Sequence, residues 1–470
     1  MRPNILLITT DQQRHDALGI NGNEILQTPN LDWLASSGVN FKRAYTTCPV
    51  CIPARRTIIS GLHPTAHGLV RYQDGLDWEP PFTLPGLLGD AGYQTQLIGK
   101  LHLHPQRRRY GFDNIILSET PNHRPTSKWQ PHNDYADWLR DKGVPFHPVS
   151  HGVNSNSRIG RPFHLDEDYH HTSWLIEEAV KFTTKTRDPS CPWFLHLSIP
   201  APHPPLVPPR DYFERYASLD LQPAIGEWAN KSAPLHGINP VSAVGPFKEV
   251  EIQSAIAGYY GLIHHIDDRI SHLLDRYFEY GNPRSKESLW VLFTSDHGEM
   301  LGDHHLFRKS LPYEASSHIP FFVSGFNIEK SSSQSDALVS LEDIAPTLLD
   351  LAGVQIPEGM DGKSLAPFLQ GQTPETRETI FGECGSGGKL AHQFMVEGDL
   401  KYIWFAETNE EQLFNVKEDP QEKSDLSADE ELLQPLRAKM AAHLEGREDY
   451  QYIRSELKPC RNYPPRVFWD

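Results

Sequence analysis

Long apolar runs are missing from this chain. The opening stretch, MRPNILLITTDQQ, carries only about six apolar residues in a row before Asp11. That is too few for the apolar centre of a secretion signal and far fewer than the ~20 that span a bilayer. The stretch reads as a buried strand and favours a cytoplasmic protein; a periplasmic or secreted one would require a leader already removed. Cysteine is scarce too. Five residues, Cys48, Cys51, Cys191, Cys384 and Cys460, are odd in number and scattered, which argues against a disulfide framework and for a reducing compartment. Basic charge is neither abundant nor clustered: 44 Lys and Arg against 61 Asp and Glu leave a net charge of −17. This disfavours a nucleic-acid partner or an anionic membrane surface. No internal repeat is evident, and small-molecule or carbohydrate chemistry is left as the natural class.

What is present is an alternation of strands and helices. Short, nearly continuous apolar runs predict strands at Asn4 to Thr10, Tyr93 to Ile98, Trp193 to Ile199, Leu289 to Ser295 and Ile319 to Ser324. Such runs suit strands buried on both faces of a mainly parallel sheet. A helix is expected over Pro29 to Ser37. A longer one is expected over Glu249 to Tyr280, where Ile252, Ile256, Tyr259, Ile263, Ile266, Ile270, Leu273 and Tyr277 recur every three to four residues. The fold class is therefore α/β, a large mainly parallel or mixed sheet between helices. At 470 residues the chain exceeds one ordinary core. Its character changes after Gly371, where four short strands (Thr379 to Cys384, Gln393 to Val396, Lys401 to Phe405, Gln412 to Val416) and a helix (Glu430 to Leu444) predict a smaller α+β unit with an antiparallel sheet. The expected division is 1–375, with insertions at about 117–167 and 204–248, and 376–470.

Several chemistry-bearing residues follow predicted strands directly. Asp11 precedes Gln12, and Asp296 precedes His297 and Gly298. Carboxylates brought together from distant strand ends suit a hard divalent cation; each Asp alone also reads as the cap of a following helix. In an open α/β sheet the ligand crevice lies beyond the carboxyl ends of the strands, so Asp11, Lys100, the turn at Pro200 to His203 and Asp296-His297 are expected on one rim. Two of the scarce cysteines fall together in TTCPVCIPARRTIISG. Taken alone, Cys48-x-x-Cys51 reads as a redox pair or half of a zinc site, although no second C-x-x-C exists.

Cys51-Ile52-Pro53-Ala54-Arg55, followed by Ile59-Ser60-Gly61, resembles the C-x-P-x-R signature of type I sulfatases in the alkaline phosphatase superfamily. In that family the cysteine is oxidised after translation to formylglycine. Further segments resemble the family in order: PNILLITTDQQ, Gly99-Lys100-Leu101-His102, Ala201-Pro202-His203-Pro204-Pro205, Thr294-Ser295-Asp296-His297-Gly298-Glu299, Lys309 with Tyr313-Glu314, and Leu413-Phe414-Asn415-Val416 with Asp419-Pro420. The resemblance implies an alkaline phosphatase-like fold and hydrolysis of a sulfate monoester to alcohol and sulfate. It implies that Asp11, Gln12, Asp296 and His297 hold a cation together with modified Cys51, Ca²⁺ first, with Mg²⁺ or Mn²⁺ as alternatives. Arg55 would hold the formylglycine diol and His102 would take the proton when the sulfated intermediate collapses. Lys100 and Lys309 would bind sulfate oxygens, and His203 with Lys309 would assist the leaving alcohol. Gln12 stands where many members carry a second Asp, so the site has one charge fewer. Glu299, Tyr313 and Glu314 are left outside the catalytic set as support.

The implied partners are a small-molecule or oligosaccharide sulfate ester and a formylglycine-generating enzyme for maturation. Ten Trp and 17 Tyr, available to stack on sugar rings, favour a sulfated carbohydrate. Two other functions stay open: a phosphonate monoester or phosphodiester hydrolase of the same superfamily, and a catalytically silent anion-binding protein in which Cys51 remains a thiol. His147, His151, His164, His170 and His171, with Asn154, Asn156 and Arg158, read equally as a substrate entrance, as surface loop or as an oligomer contact.

Overall fold

A computed structural model describes residues 2–119, 133–144, 151–229, 243–245, 247–282, 287–328, 330, 332–385, 391–406, 408–445, 447 and 457. His147, Cys460 and parts of both expected insertions lie outside the described residues.

Nine described strands form the large sheet: β1 (Asn4–Asp11), β2 (Val39–Tyr45), β3 (Gln94–Gly99), β4 (Asn114–Leu117), β5 (Trp193–Pro202), β6 (Leu289–Ser295), β7 (His318–Ile319), β8 (Phe321–Phe326) and β9 (Ser333–Ser340). They run in the order β4-β3-β5-β1-β6-β8-β2, with β7 and β9 also pairing β2. The five strands from β4 to β6 are mutually parallel, whereas β8 runs antiparallel to β6 and β2 antiparallel to β8. The sheet is thus mixed, with a parallel half.

β1 shows why the parallel half forms. Every residue from Asn4 to Asp11 is buried, and its apolar side chains divide between two cores. Leu6 and Ile8 join the core beneath the long helix Glu249–Arg276. Ile5 and Leu7 join the opposite core, which includes the helix Cys51–Ser60. Burying each such side chain contributes about 1.5–3 kcal/mol, so a strand apolar on both faces is held in the middle of the sandwich. The long helix ends in a π-turn, Tyr277–Gly281, close to the predicted end.

β2, β4 and β9 escaped prediction. Lys42 and Arg43 sit half-buried within β2, and the first half of β9 is largely exposed; strands near a sheet margin do not need unbroken apolar runs. The strand expected over Ile319 to Ser324 is split at Pro320, which cannot donate to the ladder.

The second sheet is an antiparallel meander of β10 (Thr379–Cys384), β11 (His392–Glu397), β12 (Leu400–Phe405) and β13 (Glu410–Asn415). The helix Glu430–His443 packs on it through Leu433, Leu436 and Met440. Among the described residues no helix is long and apolar enough to cross a membrane.

Candidate active site

Four neighbouring parallel strands, β3, β5, β1 and β6, end on the same rim, and the residues that follow them meet there. Asp11 closes β1, Lys100 and His102 follow β3, His203 follows β5, and Asp296 and His297 follow β6. Backbone detail tightens the rim. Gly99 adopts φ 120°, and a Cβ there would lie 1.8 Å from the carbonyl oxygen of Ser198. Only glycine lets β3 approach β5 this closely. Gln12 and His102 adopt positive φ of 77° and 54°, a strained conformation for residues with side chains and one that clusters at functional sites.

Cys51 begins the buried helix Cys51–Ser60, where the positive end of the helix dipole favours an anion. Its Sγ lies 3.2 Å from His297 Nε2 and 3.8 Å from Asp11 Oδ1. One ligand atom each from Asp11, Cys51, Asp296 and His297 falls within 4.8 Å of the others, all four residues buried. His297 Nδ1–H donates to the Gly298 carbonyl at 3.0 Å, which turns Nε2 toward the cluster, the orientation a metal-ligating imidazole requires. Asp296 Oδ2 lies 3.0 Å from Arg55 Nη2 yet receives no aligned hydrogen bond. An under-satisfied carboxylate oxygen beside a second carboxylate and an imidazole nitrogen turned toward both fits a divalent cation. Sγ stands where the oxygen of a formylglycine would be.

Gln12 joins these four through its backbone N–H, which donates to Asp296 Oδ1 at 3.0 Å, while its side chain is engaged elsewhere. Its amide oxygen accepts from Lys309 Nζ at 2.6 Å, and its amide nitrogen donates to Glu299. Arg55 ties the cluster to the rim: Nη1 donates to the Lys100 carbonyl at 2.7 Å and to Ser198 Oγ at 2.9 Å, and Nη2 lies 3.2 Å from Asp11 Oδ2. Lys100 Nζ pairs with the same Asp11 oxygen.

The electrostatics follow from these neighbours. Burial opposes the Cys51 thiolate, but Lys309, Lys100 and His297 outweigh it and hold the thiol well below its ordinary value. Burial and the adjacent Asp11 push the Asp296 carboxyl up. Burial also disfavours the charged form of His102, and Lys100 adds to this, yet hydrogen bonds to Asp74 and Cys51 prevail and raise its pKa to about 9. His203 goes the other way: burial and Lys309 lower it to about 4, so its ring is neutral near pH 7 without a ligand.

Sequence reasoning missed Asp74, whose Oδ1 lies 3.4 Å from His102 Nε2 and whose Oδ2 accepts from Tyr72 at 2.5 Å. It sits in a polar loop with no strand before it, so no local signal marked it. A small pocket beside Cys51 is lined by Ile52, Gln73, Asp74, Leu76, His102 and His104, and the Tyr72 ring, half exposed, stands at its edge 6.0 Å from the His102 ring. Cys48 is buried with Val50 and Cys384 and takes no part in the four-residue cluster. Of the uncommitted histidines, His170 is fully buried against Phe163, His171 and His265; it lines neither an entrance nor a surface.

Comparisons with known proteins give the family of the chain. A family model described as Sulfatase matches residues 3–354, and one described as N-sulphoglucosamine sulphohydrolase, C-terminal, matches residues 302–449. The chain is 39% identical to an arylsulfatase of Clostridium perfringens over 465 residues, 96% of either chain. Among solved structures, phosphonate monoester hydrolase of Agrobacterium radiobacter superposes with a TM-score of 0.75 at 24% identity, covering 94% of this chain and 95% of that one. BT4656, solved with its substrate D-glucosamine-2-N,6-O-disulfate, superposes with a TM-score of 0.71 at 21% identity, covering 96% and 98%. Both structures carry the same fold.

Proposed function

Because this chain belongs to the sulfatase family and is a sulfuric ester hydrolase, we propose that it removes sulfate from a small sulfated carbohydrate at the cluster around Cys51. The convergence of Asp11, Cys51, Asp296 and His297 within 4.8 Å carries this reading. Asp11, Asp296 and His297 would hold a divalent cation, Ca²⁺ in this proposal because two of the three are hard carboxylate donors, with Mg²⁺ or Mn²⁺ suited to the same atoms. Gln12, whose amide oxygen now accepts from Lys309, would offer that oxygen as a further ligand. The cation, with formylglycine made from Cys51 by a formylglycine-generating enzyme, supplies an activated oxygen nucleophile in place of the thiol.

The remaining residues act on the ester. Arg55 fixes the orientation of Asp11 and holds the modified side chain. Lys100 and Lys309 neutralise the sulfate oxygens, where negative charge must be offset for attack at sulfur. His102, oriented by Asp74 and freed of the thiolate that helps to hold its proton once Cys51 is converted, would take the proton of the remaining formylglycine hydroxyl as the bond from its carbon to the sulfate oxygen breaks and the aldehyde re-forms. His203 is neutral in the free site, and an arriving anionic ester restores its affinity for a proton; with Lys309 it then delivers that proton to the leaving alcohol. The Tyr72 ring and Asp74 at the mouth suit a sugar, one offering a face and the other an acceptor for hydroxyls. The aminosugar disulfate named for BT4656 and the C-terminal match to N-sulphoglucosamine sulphohydrolase support the same class.

A panel of defined sulfated mono- and disaccharides, assayed beside 4-nitrophenyl sulfate and a phenyl phosphonate monoester, tests the proposal. We expect the highest kcat/KM on one sulfated sugar; a higher value on the phosphonate would overturn it. Mass spectrometry of the Cys51 peptide should show a loss of about 18 mass units, and an unmodified thiol in active protein would remove the nucleophile assignment.

A further inference from the structure

The turn Glu314–Ser317 is only four residues long, yet its carbonyls hold two segments of the active site and it closely follows a third along the chain. Its Ala315 carbonyl accepts from Glu299 N at 2.7 Å and its Ser316 carbonyl from Gly298 N at 2.8 Å, immediately after His297. Its Ser317 carbonyl accepts from Thr46 N at 2.9 Å, on the approach to Cys51. Lys309 lies five positions before the turn, and the next residue, Ser310, donates its N–H to the Pro49 carbonyl at 2.8 Å. The fit leaves no slack, since a Cβ on Gly298 would stand 2.1 Å from the Ala315 carbonyl oxygen.

The second sheet holds this turn from behind. Lys401 on β12, fully buried, donates to Glu314 Oε1 at 2.8 Å and to Ser317 Oγ at 2.9 Å. Glu422, beyond β13 and also buried, accepts from Glu314 N at 2.7 Å and lies 3.5 Å from Lys401 Nζ. Tyr313 OH donates to Gln412 Oε1 on β13 at 2.8 Å. From the large sheet, Tyr45 OH donates to Glu314 Oε2 at 3.2 Å, and His318 Nδ1 lies 2.7 Å from the same oxygen. A lysine and two glutamates buried this deeply are a poor source of stability, because desolvation offsets most of their attraction. Their geometry has another use: Lys401 and Glu422 both bond directly to the turn.

We propose that the four-stranded sheet is a positioning element of the active site: Lys401 and Glu422 clamp the Glu314–Ser317 turn, which places His297, Lys309 and the start of the Cys51 helix. The inference rests on the reading of those three residues as the catalytic machinery. Lys401 and Glu422 touch neither substrate nor cation and act only through the turn. The protonation states suit a closed clamp. Burial opposes the Glu314 carboxylate, but Lys401 and His318 hold it well below the usual range. Burial and the nearby Glu314 raise Glu422 to about 8. Near neutral pH one negative charge therefore faces one lysine.

Steady-state kinetics on 4-nitrophenyl sulfate with the full, metal-loaded chain, taken well below each variant's thermal midpoint, tests the clamp. Lys401→Met and Glu422→Leu should lower kcat about tenfold or more, as small misplacements of catalytic groups do, while KM changes less than about threefold. Glu422→Gln should keep kcat, because its amide oxygen still accepts from Glu314 N–H. Arg437→Met cuts the pair, 2.7 Å, between the helix Glu430–His443 and Glu411 on β13; it should lower the midpoint and spare kcat. Wild-type kcat in folded Lys401→Met and Glu422→Leu would overturn the proposal, as would an equal loss in Arg437→Met. Should Lys401→Met fail to fold, Gln412→Leu, which removes the β13 acceptor of the Tyr313 hydroxyl, decides: a several-fold fall in kcat supports the clamp and an unchanged kcat overturns it. Full activity in Cys51→Ala would instead remove the site reading beneath it.

Discussion

His102 is largely and His170 fully shielded from water, and their chemistry is opposite. His102 faces Asp74 and Cys51, and its pKa rises to about 9. His170 faces His171 and His265, with ring centroids 4.3 and 4.8 Å away, and Phe163 at 5.0 Å. Burial and those two rings press it well below the ordinary histidine value. Burial is common to both; the sign of the neighbouring charge separates them. One histidine is kept ready to exchange a proton, and the other is a neutral core side chain whose Nδ1 accepts from Thr172 N at the start of the helix His171–Lys181.

That contrast can be broken from either side. The largest effect is expected at the nucleophile that His102 serves: Cys51→Ala should lower kcat by about 10³-fold or more, measured as sulfate release, with the thermal midpoint little changed. His102→Asn should lower kcat by about 10²- to 10⁴-fold and leave stability near wild type, whereas His170→Asn should cost stability and leave kcat intact. Reversed outcomes would dissolve the distinction. Asp74→Asn sharpens it, since removing the carboxylate should drop kcat about tenfold and lower the pKa of His102, read by NMR titration of the ring.

The smallest effect is thermodynamic. His170 resists protonation when folded but accepts a proton near the ordinary pKa of about 6.5 when unfolded. Its contribution to stability is therefore constant above that pH and declines as pH falls below it, by up to about 1.4 kcal/mol per pH unit. Thermal midpoints from pH 7 to pH 4 should fall less steeply in His170→Asn than in the parent, and an unchanged slope would show that His170 is protonated in the folded protein.

Legibility in the sequence tracked how local each signal was. β1, β5 and β6 are mostly apolar because both faces are buried, and β3 closes on the apolar pair Leu97-Ile98; a polar residue after such a stretch stands out, and Asp11, Lys100 and Asp296 are visible for that reason. β2 and β9 carry half-buried or exposed polar residues and offered no comparable run. Asp74, Ser198 and Glu299 touch His102, Arg55 and Gln12, but none of these contacts has a sequence spacing to betray it. The clamp is the extreme case, since Glu314 and Lys401 are 87 positions apart. Lys401 reads in the sequence as one more polar residue in a meander strand.

The order of motifs, the both-faces-buried strands and the family to which the chain belongs follow from the sequence alone, because apolar patterning and short signatures act over a few neighbouring residues. Only the tertiary structure decided which histidines are basic and which are inert, which oxygens of Asp11 and Asp296 are engaged, and which distant lysine stands behind the catalytic turn. Those properties depend on charges and hydrogen bonds a few ångströms apart in a medium that screens them weakly. Such distances are set by packing, not by position along the chain.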